Sequence, residues 1–295
     1  MTPAMKLYSP AAITALTEKH GFKLSKRLGQ NFLADGNIVD KIIEAAQIDN
    51  RDAVIEIGPG MGALTAAAAE RAAVVIAVEI DKALIPLLAD ALGEYKNIEI
   101  IHNDILKENL SELIKQYAKN ARAVKIIGNL PYYITTPVIM KMLEERTAAE
   151  SMTVMVQKEV ADRVRALPGT RAYGAITASI NYYCTVRHIA DVPRSVFVPK
   201  PNVDSAILRL DIRKSPPVSL IDERDFFACV RSGFGQRRKT LQNSLTGLYG
   251  LDKQGISNAL ANASIDPSRR AETLDLFEFA TLADSIHREA ALRNK

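Results

Sequence analysis

AVIEIGPGMGALTAAAAE, residues 53–70, is the stretch that decides the fold. It begins with a short apolar run (53–57), continues through glycines at alternate positions (Gly58, Gly60, Gly62), and ends in an alanine-rich run typical of a helix. Glycines are required where a strand turns sharply into a helix and a ligand lies against bare backbone and the helix N–H groups. The stretch therefore predicts a strand–loop–helix unit that binds a nucleotide-like ligand.

The same alternation of strand and helix continues along the chain. Runs of β-branched and apolar residues predict strands at 53–57, 74–79, 98–102, 123–128, 152–157, 185–192 and 204–212. Helical segments are predicted at 10–20, 35–48, 62–71, 82–92, 110–120, 135–146 and 174–183. Strands separated by helices form parallel sheets covered on both faces. We expect an α/β fold, a Rossmann-like seven-stranded sheet with a hairpin at one edge.

A second domain is expected after residue 212. The stretch 213–225 is rich in proline and charge and is typical of a linker. Beyond it, helical periodicity predicts amphipathic helices at 226–234, 239–250, 253–263 and 275–290, the last with Asp275 as N-cap. The predicted division is residues 1–212 and a small all-α domain of residues 213–295.

Composition excludes several classes of protein. The 295 residues are 47% hydrophobic and 24% charged, which excludes a disordered or collagen-like chain. Two isolated cysteines and four scattered histidines fit neither a disulfide framework nor a metal site. The absence of a long apolar run or a signal peptide predicts a cytoplasmic protein that binds no membrane. The net charge of +4 divides into basic ends and an acidic middle, so a polyanionic partner should contact the ends.

Two carboxylates follow the second and third predicted strands. Glu79 lies 21 residues after Gly58, where a carboxylate can accept both hydroxyls of a ribose. Asp104 can bind the exocyclic amine of a free adenine, and Ile105 can pack against its ring. The glycines also satisfy the loose NAD fingerprint, which leaves a dehydrogenase as an alternative. The tight loop combined with Asp104 instead resembles class I S-adenosylmethionine-dependent methyltransferases, which implies S-adenosyl-L-methionine as cofactor.

The fourth predicted strand ends in Asn129-Leu130-Pro131-Tyr132. This carboxyl edge of an open α/β sheet borders the ligand crevice. The Asn129 amide oxygen and the Leu130 carbonyl could accept both N–H groups of an exocyclic amine and direct its lone pair toward a methyl donor. Pro131 stiffens the turn, and Tyr132 offers a face on which a base can stack. The tetrapeptide therefore predicts methylation of an amine on an aromatic base.

Several motifs together resemble one known family. They are LGQNFL (28–33), EIGPGMG (56–62), VEID (78–81), NLPYYITTP (129–137), VQKEVADR (156–163), VFVPKPNVDS (196–205) and FGQRRKTLQNSL (234–245). Over nearly the whole chain, the sequence resembles the bacterial rRNA adenine N6-dimethyltransferases, and within them the small-subunit branch. The resemblance implies dimethylation of two adjacent adenosines in the loop of the 3′-terminal hairpin of 16S rRNA, in the immature 30S subunit, with a role late in small-subunit biogenesis.

The resemblance also implies roles for individual residues. Contacts with the methyl donor would fall on Asn31, Leu33, Gly58, Gly60, Glu79, Asp104, Ile105 and Asn129. Asn129, Leu130, Pro131 and Tyr132 would orient the target amine. Phe197 would stack on the other face of the adenine, and its place beside a Pro-x-Pro loop favours an outward-facing ring.

Recognition of rRNA requires a broad basic surface, because a base-modifying enzyme recognises the shape of the surrounding RNA. The segment 231–251 is free of acidic residues and is the strongest candidate for phosphate contact. Its cations are Arg231, Arg237, Arg238 and Lys239. Lys26 and Arg27 precede the expected cofactor lid. A third group, diluted by Glu159 and Asp162, flanks a Pro-Gly loop and comprises Lys158, Arg163, Arg165 and Arg171.

Three alternatives stay open. Large-subunit (23S) rRNA adenine dimethyltransferases share the glycine and Asn-x-Pro-Tyr motifs but generally lack a GQRRKTL-type run. Amine methyltransferases of DNA adenine or protein glutamine more typically have Pro-Pro where this chain has Leu130-Pro131. The chain could also be chiefly an RNA-binding assembly factor with secondary enzymatic activity. In every case we expect a monomer.

Overall fold

The computed structural model describes residues 6–25 and 28–293, which form two compact units. The first unit contains the described residues up to Ala161 together with Val186–Ile212. The second contains Asp162–Thr185 together with Arg213 and the described residues after it. The second unit therefore includes a stretch, 162–185, that the predicted division after residue 212 assigned to the first domain.

A seven-stranded sheet forms the centre of the first unit, as predicted. The described residues form nine strands, of which seven belong to this sheet: β1 (Phe32–Leu33), β2 (Ala53–Ile57), β3 (Val74–Glu79), β4 (Ile98–His102), β5 (Val124–Asn129), β6 (Ala149–Gln157), β7 (Cys184–Val192), β8 (Phe197–Val198) and β9 (Ser205–Ile212). The large sheet has the order β4-β3-β2-β5-β6-β9-β7. Its first five strands are parallel, and β9 is antiparallel to β6.

The helices of the first unit cover the sheet. They are α1 (Pro10–Lys19), α2 (Gly36–Ala46), α3 (Ala63–Ala69), α4 (Ile85–Ala91), α5 (Leu110–Tyr117) and α6 (Thr135–Glu144), and α7 (Lys158–Val164) follows β6. All residues of β2 are buried, which explains why it is apolar at every position except Glu56. Because β2, β3, β4 and β5 are parallel, the loops that follow them meet at one edge of the sheet.

β1 and β8 form a separate antiparallel pair that the sequence did not predict. Phe32 pairs with Val198, and Leu33 pairs with Phe197. Strands of two residues are too short for any periodicity to indicate them. The pair joins the segment before α2 to the segment after β7.

The second unit is helical and has its own core. After α8 (Ala175–Tyr183) come α9 (Glu223–Gly235), α10 (Leu241–Leu245), α11 (Lys253–Asn262) and α12 (Leu276–Arg293). Phe226, Leu241 and Phe279 are fully buried in its core. Asp275 accepts from the Glu278 N–H at 2.8 Å, and Glu278 accepts from the Asp275 N–H at 3.0 Å, so the predicted N-cap is confirmed as a capping box.

The prediction of one helix over 239–250 is wrong. α10 ends at Leu245, and Gly247 and Tyr249 both have left-handed backbones, with φ of 97° and 52°. A left-handed residue cannot continue a right-handed helix. A helical pattern of apolar residues does not report this break, although Gly247 marks its position.

Candidate active site

A cleft lies at the carboxyl edge of β2, β3, β4 and β5. Residues within 28–33, 56–64, 78–84, 103–105 and 129–134 line it. The structure brings together at this cleft almost all the predicted site residues, namely Asn31, Leu33, Gly58, Gly60, Glu79, Asp104, Ile105, Asn129, Leu130, Pro131 and Tyr132. They come from five separate segments, so the parallel topology assembles the site.

The glycine loop leaves room for a ligand beside its backbone. Gly58 and Gly60 have φ of 68° and 57°, a region that glycine occupies without strain. A Cβ atom at Gly58 would meet no atom within 4 Å, whereas one at Gly60 would lie 3.1 Å from the Phe32 ring. Gly60 is thus required for packing, and Gly58 borders open space in the cleft.

Glu79 is a buried carboxylate held by backbone donors. Its side chain accepts from the Gly60 N–H at 3.3 Å and from the Asp81 N–H at 2.8 Å. Burial raises the pKa of this carboxyl, and the N–H groups of Asp81 and Gly60 act in the opposite direction. These bonds fix the carboxylate at the end of β3, beside the glycine loop.

Glu56 was not among the predicted site residues. It is 1% exposed and lines the cleft, and its Oε2 has no hydrogen-bond partner among the described residues. Burial raises the pKa of Glu56 to about 8; the Thr65 hydroxyl lowers it, and the negative charge of Glu79 raises it further. The sequence feature that could have identified Glu56 as a site residue is its position as a charged residue inside an otherwise apolar predicted strand.

Asp104 and Ile105 follow β4. Asp104 Oδ1 accepts from the Leu106 N–H at 3.0 Å, while no described residue donates to Oδ2. Ile105 is buried beside it. This arrangement offers one free carboxylate oxygen next to an apolar side chain, as binding of an adenine ring requires.

Asn129 and Leu130 provide two unpaired acceptor oxygens at the end of β5. The Asn129 side chain donates through Nδ2 to the Asn31 carbonyl at 3.0 Å, which orients its Oδ1. The Leu130 N–H donates to the Met155 carbonyl at 3.1 Å and fixes the turn. Within the described parts of the chain, no group donates to Asn129 Oδ1 or to the Leu130 carbonyl.

The two residues after Leu130 are also held in place. The Pro131 carbonyl accepts from the Ile134 N–H at 3.1 Å. The Tyr132 hydroxyl lies 3.0 Å from the hydroxyl of Ser205, a fully buried residue of β9. The Tyr132 ring is therefore anchored at its far end while its side lines the cleft.

The segment 28–33 is tied to β3 by a residue that was not predicted. Gln30 donates to Asp81 Oδ2 at 2.6 Å and accepts from the Ser25 N–H at 2.8 Å. Asn31 donates to the Gly29 carbonyl at 2.9 Å, and Leu33 is buried. The resemblance pointed to Asn31 and Leu33, whereas Gln30 supplies the hydrogen bonds that fasten the segment.

Phe197 does not face outward, contrary to the expectation from its Pro-x-Pro neighbour. Its ring is 3% exposed, it belongs to the apolar core of the first unit, and it is absent from the residues that line the cleft. The reason is the pairing of β8 with β1, which sets Phe197 opposite Leu33.

The predicted RNA-binding residues differ in their surroundings. Arg231, Arg238 and Lys239 are exposed and have no ion-pair partner among the described residues. Arg237 instead bonds to Glu272 Oε2 at 3.1 Å, to the Tyr173 carbonyl at 3.1 Å and to the Arg171 carbonyl. Lys26 and Arg27 lie outside the described residues.

Residues 6–25 and 28–293 contain no candidate metal centre and no membrane-spanning helix. No group of three His, Cys, Asp or Glu side chains there is arranged to hold a metal ion. No helix in that part of the chain is both long and apolar enough to cross a membrane. Cys184 and Cys229 are both buried, and burial raises the pKa of the Cys229 thiol.

Comparison with known proteins gives consistent matches. Residues 21–282 match the family model described as ribosomal RNA adenine dimethylase. A protein named ribosomal RNA small subunit methyltransferase A from Anoxybacillus flavithermus is 50% identical over 282 residues, which cover 95% of this chain and 96% of the relative. Its namesake from Enterococcus faecalis is 46% identical over 291 residues, 98% of this chain and 99% of the relative.

Two solved structures have the same fold. A dimethyladenosine transferase from Plasmodium falciparum has a TM-score of 0.75 and 26% identity, over 87% of this chain and 98% of its own. The 23S rRNA methyltransferase ErmE has a TM-score of 0.65 and 27% identity, over 87% of this chain and 100% of its own.

Proposed function

Since the chain belongs to the ribosomal RNA adenine dimethylase family, we propose that it dimethylates N6 of two adjacent adenosines in the 3′-terminal hairpin loop of 16S rRNA. S-adenosyl-L-methionine is the methyl donor. Four methyl groups are transferred per small subunit, two to each adenosine. The two bacterial relatives described above, both named for the small subunit, support this choice of rRNA.

The pair of unpaired acceptors at the end of β5 carries the proposal. An adenine N6 amine is a poor nucleophile because its lone pair is delocalised into the ring. When Asn129 Oδ1 and the Leu130 carbonyl accept its two N–H groups, the lone pair is directed out of the base plane, toward the donor. Bound S-adenosylmethionine supplies an electrophilic methyl group on a sulfonium. Positioning and aligned dipoles then account for most of the rate acceleration.

The base itself is held by Tyr132 and Pro131. Tyr132 presents its ring to the cleft and is anchored through Ser205, so stacking costs little side-chain entropy. Pro131 limits the flexibility of the turn that aims the Leu130 carbonyl. These two residues position the amine, and no side chain has to remove its proton before methyl transfer.

The residues of the cleft fit the cofactor. Glu79 would accept the ribose hydroxyls, and Asp104 Oδ2 would accept the adenine amine while Ile105 packs on the ring. Gly58 borders the open space beside the loop that a nucleoside needs, and Gly60 lines the same cleft. Asn31 and Leu33 would close the cleft from the side of the segment 28–33.

The second unit would contribute contacts to rRNA phosphates. Arg231, Arg238 and Lys239 are exposed cations without an acidic residue in the surrounding segment 231–251. Lys26 and Arg27 would add contacts before the segment 28–33. We propose that the enzyme acts as a monomer on immature 30S subunits in the cytoplasm.

The test is methyl transfer from labelled S-adenosylmethionine to unmethylated small subunits, followed by digestion of the rRNA and identification of the nucleosides. We expect label in N6,N6-dimethyladenosine at two adjacent positions of 16S rRNA. Large subunits, DNA and protein serve as parallel acceptors. Label confined to large subunits would replace the proposal by 23S rRNA dimethylation, and binding without transfer would support a pure assembly factor.

A further inference from the structure

An exposed turn in the second unit is held in one conformation by hydrogen bonds and could bind a partner. It connects α7 to α8, and we refer to residues 165–172 as the Pro-Gly turn. Leu167, Pro168, Gly169 and Thr170 form a β-turn of type II: Pro168 is in the second position, and Gly169 is in the third with φ of 83°. The Leu167 carbonyl accepts from the Thr170 N–H at 3.2 Å and from the Thr170 hydroxyl at 2.7 Å.

The Pro-Gly turn is fastened to the rest of the second unit through its backbone. The Gly169 N–H donates to the Glu272 carbonyl at 2.6 Å. Arg237 donates to the carbonyls of Arg171 and Tyr173 while it pairs with the Glu272 carboxylate. Since these bonds use main-chain atoms, the side chains of the turn remain available. Apart from the Thr170 hydroxyl, the side chains of the turn are thus not needed to hold its conformation.

The available side chains are cationic and apolar. Leu167 is 70% exposed at the turn, and Arg165 and Arg171 on either side of it are exposed without a partner in the described parts of the chain. No acidic residue occurs between 163 and 172. Glu272, the acidic residue beside the turn, is already neutralised by Arg237. The turn therefore carries two exposed arginines around one exposed apolar group, with the exposed Asp162 three residues before Arg165.

These properties match double-stranded RNA. Its phosphates attract paired arginines, and its minor groove is wide and shallow, with exposed sugars that a short apolar projection can contact. We propose that the Pro-Gly turn binds a helical segment of the substrate rRNA, with Arg165 and Arg171 on phosphates and Leu167 against sugars of the minor groove. This inference rests on the proposed function, because it assigns a second contact with the same rRNA.

The chain allows a direct test by local cleavage. Cys184 and Cys229 are buried, so a cysteine introduced by Leu167→Cys is the accessible site for attaching an iron chelate that generates hydroxyl radicals. In complexes with unmethylated small subunits, we expect cleavage of two base-paired rRNA strands from position 167. If the label at 167 weakens binding, Ala172→Cys places it at the exposed end of the turn. Leu292→Cys, 66% exposed on α12, serves as the labelling control.

A complex that forms and is methylated without rRNA cleavage from position 167 or 172 overturns the inference. That outcome would be found if the turn contacts a ribosomal protein or solvent. Failure of the wild-type protein to methylate small subunits at all would count against the proposed function instead. The two failures are distinguished because methylation is measured on the same complexes.

Salt dependence provides a second measurement. In the double variant Arg165→Ala/Arg171→Ala, we expect about tenfold weaker binding to small subunits, and a slope of log affinity against log salt that is smaller by about 1.5–2. The control is Lys253→Ala/Arg288→Ala, which removes the same charge from exposed positions of the second unit. Equal slopes for the two double variants would contradict phosphate contact by the turn. Unchanged helical circular dichroism and an unchanged unfolding transition would establish that the second unit is folded in both variants.

Discussion

Glu79 in the cleft is 5% exposed and accepts two backbone hydrogen bonds, whereas Arg238 and Lys239 of the second unit are exposed and have no partner among the described residues. The fold thus holds Glu79 of the cleft in a fixed position, whereas it leaves Arg238 and Lys239 of the second unit exposed to water. A buried carboxylate has a perturbed pKa and one geometry, while an exposed cation acts through its charge.

This contrast predicts two kinds of behaviour. The effects of substitutions in the cleft on binding and activity should depend on pH and on which side-chain atom is altered. They should vary little with salt concentration. The effects of substitutions at the exposed cations on RNA affinity should depend on ionic strength. They should be similar whichever cation is removed. Each variant below tests one side of this difference.

The largest effect is expected for Asn129→Ala. This change removes one of the two acceptors for the target amine together with the bond to the Asn31 carbonyl. The rate of methyl transfer at saturating substrate should fall about 10³-fold, as for loss of one preorganised polar contact to a reacting group. Asn120→Ala, an exposed asparagine of the first unit, is the matched control. Full activity of Asn129→Ala would refute the role of the amide oxygen.

Glu56→Gln should change how stability depends on pH. With a pKa raised from 4.5 to about 8, Glu56 keeps its proton in the folded protein over a range where the unfolded chain releases it. Wild-type stability should therefore fall as pH rises from about 4.5 to 8. The full shift corresponds to roughly 5 kcal/mol, and water entering the cleft reduces it, so we expect Glu56→Gln to be about 3 kcal/mol more stable at pH 9.

Denaturant unfolding of the cofactor-free protein at pH 6 and pH 9 measures this effect. At pH 6 the two proteins should differ less in stability than at pH 9, because the loss that begins above pH 4.5 is only partly complete there. Glu99→Gln, a change at an exposed glutamate of β4, should leave the pH dependence as in the wild type. The same pH dependence in Glu56→Gln as in the wild type would mean that Glu56 is already ionised at pH 6.

Glu79→Gln should weaken cofactor binding by about 10- to 100-fold. The carboxylate makes charge-assisted hydrogen bonds, each stronger by about 1 kcal/mol than those of an amide. The NH2 group of the amide would also face the N–H of either Gly60 or Asp81, so one of the two backbone hydrogen bonds would be lost. Titration calorimetry with S-adenosylmethionine measures the affinity, and Asp40→Asn, at an exposed aspartate, controls for the change in charge. An affinity within threefold of the wild type would contradict contact with the ribose.

The sequence predicted the parts of the fold that are governed by local pattern. β2, β3 and β5 are buried apolar runs, and their order along a parallel sheet places Glu79, Asp104 and Asn129 at one edge. This inference needs only strand positions and the rule that parallel strands end together. For that reason the residues at the strand ends could be predicted from the sequence, whereas Asn31 and Leu33 came from the family resemblance and Glu56 and Gln30 were missed.

Features that depend on long-range pairing could not be predicted in this way. Phe197 is buried because β8 pairs with β1, a strand of two residues far away in the chain. Arg237 stands in a basic run, yet it bonds to Glu272 and to carbonyls near residue 172. A charge pattern identifies which residues are cationic but not which of them are already paired.

The smallest effect is expected for Arg238→Ala/Lys239→Ala, because two exposed contacts among many are lost. Affinity for small subunits should fall about tenfold and the salt slope by about 1.5–2, with cofactor affinity unchanged. Lys253→Ala/Arg288→Ala is again the control. Combination with Arg165→Ala/Arg171→Ala should give additive slopes if the two groups contact separate phosphates. If the fourfold variant reduced the salt slope no more than one double variant does, only one of the two groups would contact phosphates, and the other group would merely affect how the RNA is positioned.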